Sequence, residues 1–276
     1  MRLTARRLNR ATLARQLLLR REPVEVTEAV RRVVALQAQE AASPYLALWN
    51  RLAPFDPATL DAAFAGHEVI KATLMRITLH AVTAADYPAF HCAMAESLRA
   101  ARLYDRRYTQ TGLSAADADA LIPHLVEFTA ERRTNAECEA LLSARLGADQ
   151  PRAWWALRTF APVVHAVTGG PWSFGYRPSY LAAPLPDHAP DGRETCVQQL
   201  AWRYLEGFGP ASAADLAQFT LLTRSAARDA LDAMAGQLER REGPDGGVLF
   251  DGSAPALLAS TDPYVQELLY KTLPPW

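Results

Sequence analysis

The sequence predicts a mainly α fold with small β-hairpins, arranged as three tandem winged-helix units. Three observations lead there. Apolar residues recur at helical spacing over most of the chain, each third closes on a short alternating segment with a turn, and helix openings carry recognisable caps. With 276 residues, half of them apolar, the chain can bury a sizeable core.

The first unit, residues 1–109, opens with helices expected at 4–20 and 26–39. Val26, Ala29, Val30, Val33 and Val34 form an apolar stripe whose next position is Gln37. A core-facing amide needs either a partner or a task. Two further helices start at Ser43-Pro44 and Asp56-Pro57, each a cap residue followed by proline in the first turn. Residues 68–83, EVIKATLMRITLHAVT, alternate as a hairpin with its turn near Met75-Arg76. Residues 84–108 return to helix and end in the arginine- and tyrosine-rich LYDRRY.

The second unit, 110–190, is expected to gather helices from near Leu121. Thr134-Asn-Ala-Glu137 is a capping box, PRAWWALRTFAPVV (151–164) is helical, and HAVTGGPWSFGYRPSYLAA follows as two strands around a glycine turn. The proline-rich PLPDHAPDGR (184–193) reads as a linker. The third unit, 191–276, repeats the order more cleanly. A helix at 194–206 precedes the turn Gly207-Phe-Gly-Pro210, Ser212 and Asp215 cap a short helix, and Thr223 opens an amphipathic one. Two strands then flank a wing at 243–247. The helix opened by Thr223 is the recognition-helix candidate: Arg224 and Arg228 share one face and can reach phosphates, although two solvated arginines would show the same spacing.

Several functions lack their signatures. Cys92, Cys138 and Cys196 are far apart, and the six histidines show no HxH or HExxH spacing, so no metal site is expected. The stretch GGPWSFGYRPSY has no phosphate-loop pattern and no GxSxG occurs, so no cofactor or serine nucleophile is expected. No apolar run reaches the ~18 residues of a membrane span, and the basic N-terminus lacks a signal's apolar core. A cytoplasmic protein, away from membranes, is the expectation.

The net charge of −1 hides an asymmetry. Residues 1–109 carry 16 basic and 10 acidic side chains, and residues 110–276 carry 13 and 20. The N-terminal part suits an anion such as a DNA backbone, though solvated helix faces would give the same count. Only Lys71 and Lys271 are lysines.

LQAQ (36–39), SPYLALWNRL (43–52), LMRITLH (74–80) and GFGPASAADLAQFT (207–220) together resemble the AlkZ-like family of winged-helix DNA glycosylases, found in bacteria including antibiotic producers. The resemblance runs from the N-terminus to about residue 265. It implies tandem winged helices forming a concave DNA-binding surface, with Gln37-Ala38-Gln39 matching a catalytic Gln-apolar-Gln motif. It also implies cleavage of the N-glycosidic bond of N7-alkylated purines, including interstrand-crosslinked ones, by a monomer acting on double-stranded DNA. Arg76 and His80 align with a family stretch Met-Arg-Gly-Thr-Leu-His and would contact phosphate or sugar near the lesion, with Lys71 on the same hairpin. Ile77 stands where family members usually carry glycine. Relatives continue past Asp262-Pro263-Tyr264 into a β-rich segment, so VQELLYKTLPPW is expected to form a shortened C-terminus.

The chemistry suits a site without an acid. N7 alkylation makes the base cationic, so it leaves neutral and needs no proton donor. Two amides can then hold a water against the anomeric carbon and stabilise an oxocarbenium-like sugar. Residues i and i+2 do not share a helix face, so the helix is expected to end near Gln39, helped by Ser43-Pro44. Glu40 is the rival general base. No lysine is expected near the motif to form a Schiff base, so a monofunctional glycosylase is expected, with strand nicking left to a separate abasic-site step. Arg152 and Arg158 flank Trp154-Trp155, a pair that either stacks on exposed bases or fills the core. Because a crosslinked nucleotide cannot simply rotate out, engagement from a groove with the hairpin as a wedge is expected. A non-catalytic winged-helix DNA-binding protein or regulator is the alternative the fold alone allows, and a relative that folds without acting is a third.

Overall fold

A computed structural model describes residues 2–185 and 192–252. The expected linker falls largely between these stretches, and residues 253–276, which include the C-terminus expected to be shortened, lie outside the described residues. The N-terminal part runs α1 (Ala5–Arg15), α2 (Val26–Val33), β1 (Leu36–Gln37), α3 (Ser43–Trp49), α4 (Pro57–Ala65), β2 (Val69–Thr73), β3 (Leu79–Thr83) and α5 (Tyr87–Leu103). Then come α6 (Arg106–Thr109), α7 (Ala115–Phe128), β4 (Arg133–Thr134), α8 (Asn135–Leu146), α9 (Pro151–Phe160), β5 (Val163–His165) and β6 (Ser179–Ala182). The last group is α10 (Gly192–Phe208), α11 (Ala213–Thr220), α12 (Arg224–Ala233), β7 (Glu239–Glu242) and β8 (Val248–Asp251). The chain is therefore mainly helical, with three small antiparallel sheets in the orders β1-β3-β2, β4-β6-β5 and β7-β8.

Local chemistry sets many of the boundaries. Ser114, Thr134 and Ser212 each close a capping box with an acidic residue three positions on, satisfying helix N–H groups that lack intrahelical partners. Thr223 caps α12 by accepting from the Ala226 N–H. Asp56 caps α4 and is followed by proline at the first helical position.

The stripe Val26, Ala29, Val30 and Val33 is buried, as its spacing predicts. The helix nevertheless stops at Val33, not near Gln39, because Val34 turns to φ 74° and sends the chain into β1. Gln37 is thus not a core-facing helical residue. It lies in a strand, exposed, opposite His80. Three other boundaries move: α1 ends at Arg15, α7 begins at Ala115, and the strands around the expected glycine turn are separated by residues 166–178.

A small core beneath the first sheet joins Val30, Leu36, Ala38, Leu48, Phe64 and Phe174. A larger core runs without a break from Val34 and the hairpin through α5 and α7–α12 to Phe250. Helix α5 packs against both α9 and α10, so residues from all three sequence units share it. Buried ion pairs tie the parts together. Arg203 Nε on α10 lies 2.9 Å from Asp86 Oδ1 at the start of α5, and Arg15 Nη2 on α1 lies 2.8 Å from Asp251 Oδ1 on β8.

Candidate active site and nucleic-acid interface

The motif starts on extended backbone, with Leu36 and Gln37 in β1, and Gln39 opens a bend. From Leu36 to Gln39 burial alternates, with Leu36 and Ala38 inside and Gln37 and Gln39 outside. The segment is not helical, so the i, i+2 spacing no longer forces the two amides onto different faces of a helix. Ala38 is held by its N–H to the Leu79 carbonyl at 2.8 Å. Gln39 Oε1 accepts from the Leu79 N–H at 3.4 Å, which fixes that amide beside β3. The Gln37 amide has no hydrogen-bond partner among the described residues.

Cross-strand pairing places His80 directly opposite Gln37, and Ala72 beyond it. His80 is buried, and burial pushes its pKa down to about 4, with the Arg76 charge adding to the shift and a bond to the Thr78 carbonyl opposing it. At neutral pH it is uncharged. Its Nδ1 lies 3.0 Å from the Thr78 carbonyl and so carries the proton, leaving Nε2 as an acceptor. A neutral, buried imidazole does not attract an anion, so of the expected phosphate or sugar contacts the neutral state of His80 favours the sugar.

Arg76 is exposed at the hairpin tip, where its guanidinium lies 5.3 Å from the Phe219 ring and 3.4 Å from the Phe219 carbonyl. The tip rests on α11, so the wedge expected of the hairpin is confined to this exposed side chain. Arg76 and Ile77 both have positive φ, 53° and 61°. For a β-branched residue this is a strained, left-handed conformation, at a cost of about 1–2 kcal/mol.

Gln39 also lines a cleft of about 570 Å³ between the first sheet and the second unit. Its walls carry Glu40, Lys71, Thr73 and Leu79 from the first unit, Arg102, Trp155, Arg158 and His165 from the helical side, and Trp172, Phe174, Tyr176 and Tyr180 from the long β5–β6 loop and β6. That loop is pinned where Tyr45 Oη and Ser173 Oγ lie 2.8 Å apart and both hydrogen-bond Asp61. Gln37 does not line the cleft; it is exposed and shares the sheet face of His80 and Ala72, whereas Lys71, Thr73 and Leu79 lie on the other.

The cleft is cationic and aromatic. Lys71 is buried with its Nζ 4.6 Å from the Phe174 ring centre. Burial pushes its pKa down to about 8 while Glu40 pulls it back up. His165 is driven to about 3, first by burial and then by the charges of Lys71 and Arg158, and so is neutral. Arg102 and Arg107 sit 4.5 Å and 4.2 Å from the Trp155 ring. Arg158 reaches Asn135 Oδ1 at 3.3 Å and Tyr180 Oη at 3.4 Å. At neutral pH Lys71, Arg102 and Arg158 outweigh Glu40, a balance that favours phosphates.

The structure thus brings Gln39, Lys71 and Arg158 to one cleft, and Gln37, His80 and Arg76 do not line it. It splits the tryptophan pair: Trp154 is core, bonded to Asn135 at 2.7 Å, and Trp155 lines the cleft. Arg152 is exposed and outside the cleft lining. Arg224 and Arg228 are exposed on α12, on one face as their spacing predicts. Arg102, His165 and the aromatics of the β5–β6 loop were missed. The only sequence signal for them was aromatic density in PWSFGY and in LYDRRY, which does not say what they face.

The family model of the AlkZ-like DNA glycosylases matches residues 30–276. The chain belongs to that family. Among solved structures, the Streptomyces sahachiroi DNA glycosylase AlkZ superposes with a TM-score of 0.80 at 19% identity, over 95% of this chain and 74% of that one. No curated protein sequence matches. The left-handed φ of Ile77 gives a physical reason for the glycine usual at this turn in the family, since only glycine adopts it without strain.

Proposed function

We propose that this DNA glycosylase family member hydrolyses the N-glycosidic bond of N7-alkylated purines in duplex DNA, including crosslinked ones. The observation that carries the reading is the motif at the edge of the first sheet, with both amides exposed and Gln39 lining a cationic cleft. Their carbonyl oxygens orient one water against C1′. As the bond to N9 breaks, its electron pair neutralises the cationic purine, the water oxygen bonds C1′, and a proton leaves to bulk solvent. No acid is required, which fits two exposed amides and a neutral His80.

Arg102 and Arg158 draw flanking phosphates, and the exposed Tyr176 offers a ring face to an unstacked base. Arg76, Arg224 and Arg228 extend the contact outward, Arg152 less directly. The two amides carry no charge, so they face the developing sugar cation with dipoles alone and without repelling it. Base release by this route uses no amine nucleophile and leaves an abasic sugar.

The test is single-turnover incubation with a duplex holding one N7-methylguanine, beside an undamaged duplex of the same sequence. Release of free N7-methylguanine supports the reading. Tight binding to one undamaged sequence with no release would make the chain a DNA-binding regulator.

A further inference from the structure

Lys71 has no neighbour in sequence among the motif residues, yet the sheet brings it to the same cleft as Gln39. Gln39 Oε1 holds the N–H of Leu79; Leu79 pairs with Thr73; and Lys71 lies two residues from Thr73 on the same face of β2. All four line the cleft.

Its surroundings are those of a reactive amine. The side chain is buried against Phe174, and Nζ has no hydrogen-bond partner or ion pair among the described residues. Burial lowers the pKa to about 8, so roughly a tenth of the amine is unprotonated at neutral pH. Glu40, the carboxylate that acts on Lys71 electrostatically, lines the cleft beside it. Arg158 and neutral His165 face it from α9 and β5. Apart from the Phe174 ring, nothing among the described residues offsets the cost of burying this amine, so its presence asks for a task.

We propose that Lys71 forms a Schiff base with the abasic sugar and gives this chain a β-lyase activity after base release. Neutral Nζ adds to the C1′ aldehyde of the ring-opened sugar; with one proton taken up, water leaves and an iminium forms. Glu40 accepts the C2′ proton, the freed pair becomes the C2′–C3′ double bond, and the C3′–O bond breaks with its electrons on the departing phosphate. Water then hydrolyses the iminium, returning the amine and an unsaturated aldehyde on the upstream strand. No oxidant or reductant enters.

The inference rests on the cleft receiving the product of the proposed reaction, and its test bypasses that reaction. A duplex carrying one pre-formed abasic site is incubated with the full chain and sodium borohydride, which reduces an iminium to a stable secondary amine. The chain has two lysines, Lys71 and Lys271, so the adduct is readily mapped by peptide mass spectrometry. The expected result is a covalent protein–DNA band whose adduct maps to residue 71, at least tenfold weaker in Lys71→Arg and Lys71→Met variants of unchanged circular dichroism. No trapping by folded wild-type protein, or an adduct on Lys271 or the N-terminal amine, overturns it. Base release measured separately on the methylated duplex shows whether the hydrolytic reading stands or falls apart from this one.

Discussion

Replacing Lys71 with methionine is expected to stabilise the protein. The folded amine titrates at about 8 against an ordinary 10.5, which at about 1.36 kcal/mol per pH unit corresponds to about 3 kcal/mol of strain at neutral pH. Loss of the Phe174 contact returns about 1 kcal/mol of this. A net gain of about 2 kcal/mol, roughly 4 °C or more in Tm for a chain of this size, is expected for Lys71→Met. The pH dependence carries the sign. Between pH 8 and 10.5 the unfolded wild type binds more protons at this residue than the folded one, so wild-type stability rises over that window. Lys71→Met lacks this rise, and the two proteins converge at high pH. Urea unfolding at pH 7 and pH 10 measures both. A Lys71→Met protein that is equal to or less stable than wild type at pH 7 refutes the reasoning, because the amine would then be satisfied where it lies.

Three other outcomes follow from the same geometry. His80 folds neutral with its pKa near 4, so the unfolded chain binds the extra proton between pH 6.5 and 4; stability falls as pH drops through that window, by about 3 kcal/mol from this residue, and His80→Asn should flatten the decline in an unfolding series. Asp86 is buried against Arg203 and also accepts from Thr83 Oγ1 at 2.8 Å; Arg203 keeps Glu206 and the Arg31 carbonyl as partners, so Asp86→Ala should cost about 1.5–3 kcal/mol, measured by denaturant midpoint. Arg224→Ala and Arg228→Ala, both exposed, should leave stability within about 0.5 kcal/mol. If their face meets DNA, each reduces the slope of log affinity against log salt by about 0.9.

Much of the helical order is legible because its signals are local. The caps at Thr134, Ser212 and Thr223 each need only three or four residues to be recognised, and each opens the expected helix. The hairpin of 68–83 appears as β2 and β3 around a turn at Met75–Ile77 for the same reason. The motif itself was readable as residues but not as geometry. Nothing in RRVVALQAQ marks Val34 for a left-handed φ; pairing of β1 with β3, some forty residues away, sets it. Even so, the conflict between an i, i+2 pair and a helix face was a correct warning that the helix could not carry both amides. The cleft was illegible because it joins residues 39–42, 71–79, 102, 155–165 and 171–180, and no local pattern links them. That is why a lysine remote in sequence becomes a neighbour of Gln39.

The central claim is that Gln37 and Gln39 act as a pair on one water. It is tested most directly by single-turnover release of N7-methylguanine from duplex DNA by wild type, Gln37→Ala, Gln39→Ala and the double variant. Both side chains are exposed, so unfolding midpoints should not change. Each single variant is expected to lose at least about a hundredfold in rate, and the double variant little more than either, as residues acting as one unit do. Wild-type rates in both single variants would contradict the account and leave the motif as the edge of a sheet.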